Sequence, residues 1–180
     1  MQYETYAHRY ADVILNSDYE LRQNIEQAIL SVDFADIIAR YEAENAERAR
    51  RESRPAQGKQ SVINMVFRER FVDLGWEIEK KVFSGADNDL SIDFWKRGVG
   101  VDVAFGHRSY IGGDLLRLQA AAEVRRIMKV GVYVCPTKDF AAKVSPKDRS
   151  CMVTYERTRW YLENFYQVLT VPVLLLGLRG

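Results

Sequence analysis

Residues 90–105 read Leu90-Ser91-Ile92-Asp93-Phe94-Trp95, then Lys96-Arg97-Gly98, then Val99-Gly100-Val101-Asp102-Val103-Ala104-Phe105. Val99, Val101, Val103 and Phe105 alternate with Gly100, Asp102 and Ala104, the period of a β-strand. Leu90–Trp95 is a second strand-like run, and Lys96-Arg97-Gly98 is a tight turn between the two. A hairpin of this length places Asp93 and Asp102 at one level of a sheet. Asp102 sits between two valines, so an ionised carboxylate occupies a strand that otherwise favours burial. Such burial is costly unless something pairs with the charge. A hard divalent cation with oxygen ligands, such as Mg²⁺, is one compensation. A pair of exposed hairpin aspartates is the other reading, and the residues alone leave both open.

Outward from the hairpin the chain alternates helical and strand-like patterns. Ser17-x-x-Glu20 predicts a capping box for a helix reaching about Leu30, with Leu21, Ile25, Ala28 and Ile29 on one face. Ser61–Leu74 predicts a second helix stopped by Gly75, and Trp76–Phe83 an extended segment followed by a turn at Ser84–Asp89. Residues 42–60, rich in charge and alanine and without an apolar face, read as a frayed helix end and an exposed, mobile arm. Gly113–Met128 predicts a long helix, Lys129–Cys135 a buried strand, Lys138–Lys147 a loop with room for one turn of helix, Thr154–Tyr166 a helix and Val171–Leu178 a last buried strand. The expected order is helices first, then β-β-α-β-α-β. That order describes a single α/β domain over residues 1–180 around a mixed sheet flanked by helices.

Composition excludes several classes. The chain has 180 residues, 47% hydrophobic and 28% charged, which are globular proportions. Its longest apolar run, Val171–Leu176, is broken by Pro172 and is too short for a membrane span, so no membrane role is expected. Met1–Arg9 has no apolar signal core. Cys135 and Cys151 are far apart and His8 and His107 are the only histidines, which disfavours a zinc site or disulfide framework and makes a reducing cytoplasm the default. Residues 1–104 carry 14 Lys and Arg against 19 Asp and Glu, whereas residues 105–160 carry 11 against 5. A basic second half suits a polyanionic partner.

The spacing Asp93-x8-Asp102-Val103-x-Phe105 resembles the metal site of the PD-(D/E)XK nucleases, and within them the D-x8-E-V-Q-F pattern of the BglII/BstYI group of type II restriction endonucleases. Further similarities follow in the group's order. They are His8 with Ala11-Asp12-Val13-Ile14-Leu15-Asn16, then Ser61-Val62-Ile63-Asn64 with Gly75-Trp76. After the hairpin come Val130-Gly131-Val132 with Pro136–Lys138, Tyr155-Glu156, and Val171-Pro172-Val173 with Gly177-Leu178. The resemblance implies a restriction-endonuclease-like fold and Mg²⁺-dependent cleavage of double-stranded DNA at a short palindrome by a homodimer. It implies Asp93, Asp102 and the Val103 carbonyl as metal ligands, and Glu79 as a further acidic group whose other reading is a solvent-facing edge residue.

At Ala104 the chain departs from the group, which carries Gln, Glu or Lys there to position the attacking water. Three explanations stand: an introduced substitution; transfer of the role to Lys80, Lys81, Lys96 or His107; or a relative that binds DNA without cutting it. The resemblance also implies two DNA-reading loops, one with His107, Arg108 and Ser109, the other with Lys147, Asp148, Arg149 and Ser150. The Ala46–Arg54 stretch is either a clamp over DNA or a solvated arm. The resemblance implies Gly113–Met128 as the dimer helix, with Ala120–Ala122 allowing close helix approach; packing of these alanines on the chain's own sheet is the other reading.

Overall fold

The computed structural model describes residues 1–56, 58–85 and 90–180. Six strands form one sheet: β1 (Gln2–His8), β2 (Glu77–Lys81), β3 (Ser91–Lys96), β4 (Val99–Val103), β5 (Val130–Pro136) and β6 (Val173–Arg179), in the order β1-β6-β5-β4-β3-β2. β4, β5 and β6 run parallel, and β1, β3 and β2 add antiparallel edges. Helices α1 (Ala11–Asn16), α2 (Tyr19–Leu30), α3 (Phe34–Arg50), α4 (Gln60–Asp73) and α6 (Lys138–Val144) supply the core on one face. α5 (Ile111–Gln119) and α7 (Tyr155–Asn164) supply it on the other. The alternation read in β4 decides this arrangement: Val99, Val101 and Val103 pack with α1, α2 and α4. The mixed α/β fold is therefore as expected, although one more helix, α6, interrupts the expected β-β-α-β-α-β order of its second half, which runs β3-β4-α5-β5-α6-α7-β6.

Several local expectations are corrected. A strand precedes the first helix: β1 pairs with β6 along its whole length, from Gln2 opposite Arg179 to His8 opposite Val173. α2 is capped by Asp18, whose carboxylate accepts from the Leu21 N–H at 3.3 Å, and Ser17 instead closes α1. Residues 42–50, expected as a frayed end, complete α3. Ion pairs one turn apart stabilise this charged stretch in place of an apolar face: Arg48 with Glu44 and Arg51 with Glu47, each at 2.6 Å. Tyr41 and Asn45 also bind the backbone of Ala56, so the chain beyond the helix folds back on it. Residues 138–144, expected as loop, form α6, capped by Thr137. α5 starts at Ile111, its last turn widens to a π-turn over Ala120–Val124, and the chain leaves it at Arg125. Of the turn expected at Ser84–Asp89, residues 86–89 lie outside the described residues. Among the described residues no helix is long and apolar enough to cross a membrane.

Candidate active site and nucleic-acid interface

The β3–β4 hairpin turns on Arg97 and Gly98, both with positive φ (48° and 85°), and Lys96 pairs with Val99. Two consecutive left-handed residues match the twist of the flanking strands, which explains a glycine at the second position. The register Phe94 opposite Val101 then carries the strands to Asp93 and Asp102. There side chains replace the ladder. Val103 N–H donates to Asp93 Oδ2 at 2.8 Å, and Asp93 N–H donates to Asp102 Oδ1 at 3.1 Å. The side-chain alternation of β3 also breaks at Asp93, since Ile92 packs with α5 whereas Phe94 packs with α4. Glu79 on β2 has φ of 53°, a second irregularity in the same part of the sheet.

The two aspartates have different surroundings. Asp93 borders a cleft of about 220 Å³ together with Asn64, Met65, Arg68, Glu79, Phe94 and Val103. It makes no ion pair among the described residues. Burial first, and then the neighbouring Asp102, push its carboxyl up to about 7, against the pull of the Val103 N–H. Asp102 is only 1% exposed, and its Oδ2 accepts from Arg117 Nη2 on α5 at 2.8 Å. Burial raises its carboxyl and Arg117 opposes the rise. Arg117 also pairs with Asp114 at 3.2 Å, and Asp114 accepts from the Tyr133 hydroxyl at 2.7 Å.

The two carboxylates brought together by the hairpin thus point different ways. Asp93 faces the cleft, while Asp102 is turned to α5. Glu79 does line the cleft, where Arg68 donates to it at 2.8 Å and holds its carboxyl below the usual range. Val103 borders it as well. Ala104 packs against the α5 cluster and lies outside the lining. Of the substitutes considered for it, Lys96 is bound at the far end of the hairpin to the Leu74 carbonyl at 2.8 Å, and Lys80 to Glu77 at 3.0 Å. Among the described residues no three His, Cys, Asp or Glu side chains cluster as a metal site.

The first expected reading loop leaves the C-terminal end of β4, and the second follows α6, which leaves the C-terminal end of the adjacent parallel strand β5; this brings the loops together. His107 bridges to Met152, Val153 N–H donates to the Gly106 carbonyl at 3.0 Å, and Arg108 reaches the Ser150 carbonyl at 3.4 Å. His107 Nδ1 contacts Ser109 Oγ at 2.8 Å. His107, Arg108 and Ser109 line one groove with Lys138, Arg157 and Trp160. Arg149 and Ser150 line the next, again with Lys138 and Arg157. Asp148 accepts from Ser145 Oγ at 3.2 Å and borders a third hollow that also contains His107 and Asn64. Lys147 is exposed beside it. Asn64 lines both this hollow and the Asp93 cleft, so loops and cleft form one continuous surface.

Arg117, Arg68, Lys138 and Arg157 were missed in the sequence. The only local sign was at Arg117, a charge one turn from Asp114 on a helix face that also buries Leu115 and Leu118.

A comparison with curated proteins returned no match. Among solved structures, the chain is similar to restriction endonuclease BglII complexed with a DNA 16-mer. The TM-score is 0.74 at 19% identity, covering 100% of this chain and 79% of that one, which supports the restriction-endonuclease fold. The family profile "Restriction endonuclease BglII/BglIII" matches residues 3–178. With nearly its whole length matched, the chain belongs to the BglII family of restriction endonucleases, which are type II site-specific deoxyribonucleases.

Proposed function

We propose that this protein, as a homodimer, binds a short palindrome in double-stranded DNA and hydrolyses its phosphodiester bonds with Mg²⁺. The observation that carries the reading is Asp93. It is a largely buried carboxylate with no ion pair among the described residues, it opens on a cleft, and that cleft is continuous with two loops rich in Lys and Arg.

The residues present fit a hard cation. The oxygen donors among the cleft's side chains are the Asp93 carboxylate, the Asn64 amide and, once released from Arg68, the Glu79 carboxylate, with the Val103 carbonyl as the further ligand we propose; Met65 adds only a soft thioether sulfur, which suits a hard cation poorly. A bound Mg²⁺ would supply charge neutralisation at the phosphate and a more acidic water. Asp93 is held in place by the Val103 N–H, and Arg68 places a guanidinium where a phosphate oxygen would approach. Arg108, Arg149 and the newly found Arg157 and Lys138 would grip the backbone and base edges, Arg being suited to guanine. His107, Ser109, Lys147, Asp148 and Ser150 complete the two loops.

The homodimer is supported by an apolar groove between α5 and the end of α7, where Leu116 is 56% and Val168 60% exposed beside Phe165. The alanines expected to face the partner contribute inward instead, Ala121 being fully buried. Two-fold protein symmetry would then mirror the palindrome.

A second reading, sequence-specific binding without cleavage, is favoured by Ala104, which brings no polar atom, and by the commitment of Asp102 to Arg117. Incubating plasmid with the protein and Mg²⁺ tests both. Discrete fragments support the endonuclease, a gel shift without cleavage supports the second reading, and a smear points to a nuclease without sequence preference.

A further inference from the structure

Arg117, its side chain 19% exposed, holds a fully buried carboxylate, yet it is poorly used. One nitrogen, Nη2, makes both of its ion pairs, to Asp102 at 2.8 Å and to Asp114 at 3.2 Å. Its Nε is buried with no hydrogen-bond partner among the described residues. An arginine placed only to stabilise a buried acid would present its planar fork bidentately, since that geometry offsets the desolvation of both charges. Arg117 instead makes a single-point contact with the one Asp102 oxygen that the hairpin leaves over, because Oδ1 already accepts from the Asp93 N–H.

We infer that Arg117 is a positioning residue that holds the Asp102 carboxylate toward α5 and so withholds it from a divalent cation bound beside Asp93. The inference rests on the functional reading above, in which the cation binds beside Asp93. With Arg117 in place, Asp102 acts through the backbone, fixing the Asp93 N–H and hence the carboxylate that faces the cleft. A cation at Asp93 then gains only one of the two hairpin carboxylates. Removing Arg117 would free the second carboxylate as a ligand, and the cleft would hold its cation more tightly. Because Asp102 and Asp114 both lie against Arg117, the retained charge of Lys at this position would keep the acids partly paired. Its point-like ammonium would hold Asp102 less firmly than the guanidinium does.

Titrating Mg²⁺ into the DNA-free full-length protein by calorimetry tests this without any turnover. Arg117→Met should bind Mg²⁺ at least about tenfold more tightly than the parent, and Arg117→Lys by a smaller factor in the same direction. The gain should vanish in Arg117→Met/Asp102→Asn, which also removes the unpaired buried charge. A structural role for Arg117 would lower the melting temperature without producing that gain. Affinity no higher than the parent's in folded Arg117→Met overturns the inference; if that variant does not fold, the same result in Arg117→Lys overturns it. Asp93→Asn serves as the reference and should lose Mg²⁺ binding. If it binds as the parent does, the cation site beside Asp93 is wrong and the functional reading fails with it. If it loses binding while the Arg117 variants show no gain, only the inference fails.

Discussion

The helical layer of α2, α3 and α4 and the surface formed by the cleft and its two loops use charge in opposite ways. In the first, Arg22, Arg40, Arg48 and Arg51 each pair at 3.0 Å or less with a carboxylate one helical turn away. In the second, Arg108, Arg149, Arg157 and Lys138 have no ion pair among the described residues, although they crowd adjacent grooves. The hairpin repeats the contrast in carboxylates, with Asp102 paired to Arg117 and Asp93 without an ion pair among the described residues. Charge that serves the fold is neutralised within it. Charge left unmatched in a cluster costs repulsion, and it persists where a partner of opposite sign completes it.

The largest effect should come from breaking a matched pair in the interior. Arg117→Ala leaves Asp102 and Asp114 buried without a cation and should cost about 3–5 kcal/mol, measured by denaturant unfolding at neutral pH. The unmatched carboxylate should behave in the opposite sense. The Asp93 carboxyl is raised to about 7, so between the ordinary aspartate range and pH 7 the folded state holds a proton that the unfolded chain has released. Stability from this group is therefore present at low pH and is lost as pH rises through 7. In the absence of metal, Asp93→Asn should raise the melting temperature more at pH 8 than at pH 5.

The contrast explains what the sequence disclosed and what it withheld. The alternation of Val99, Val101 and Val103 and the Arg97-Gly98 turn are local signals, and they sufficed to set Asp93 opposite Asp102. β1 was hidden because it is an edge strand in which only His8 is fully buried, so its pattern carries little apolar contrast. The second half of α3 was hidden for a related reason, since ion pairs and the contacts of Tyr41 and Asn45 with Ala56 stabilise it rather than an apolar face. The orientation of Asp102 depends on Arg117, 15 residues away on another element, and no spacing rule reaches it. The reading loops were legible by position, whereas Lys138 and Arg157 join them only through the packing of α6 and α7.

Smaller effects should follow on the unmatched cations. Arg149→Ala and Arg157→Ala should each weaken binding to duplex DNA. A phosphate contact lowers the salt slope by about 1, and a base contact costs roughly 1–3 kcal/mol of discrimination, so binding to cognate and scrambled duplexes at several salt concentrations distinguishes them. Ala104 lies outside the cleft but next to Val103, which lines it, so the longer side chains of Ala104→Gln or Ala104→Glu should reach the cleft and raise Mg²⁺-dependent cleavage by about tenfold or more, since a positioned polar group at a water contributes roughly 10²–10⁴-fold in favourable cases. No gain with either side chain would leave the water to another residue of the cleft. At the small end, Arg48→Ala should change stability by no more than about 0.5 kcal/mol, as one exposed pair in a helix does, and should leave DNA binding unchanged. A loss of DNA affinity in that variant would make the Ala46–Arg54 stretch a clamp and blur the comparison.

The most direct test is Mg²⁺-dependent plasmid cleavage by four proteins side by side: the parent, Asp93→Asn, Ala104→Gln and Ala104→Gln/Asp93→Asn. The account predicts discrete fragments from Ala104→Gln, slower or absent cleavage by the parent, and none from either protein lacking the Asp93 carboxylate, both of which should still bind DNA. Discrete fragments from folded Ala104→Gln/Asp93→Asn at the rate of Ala104→Gln would contradict it, because the unmatched carboxylate would then have no part in the chemistry.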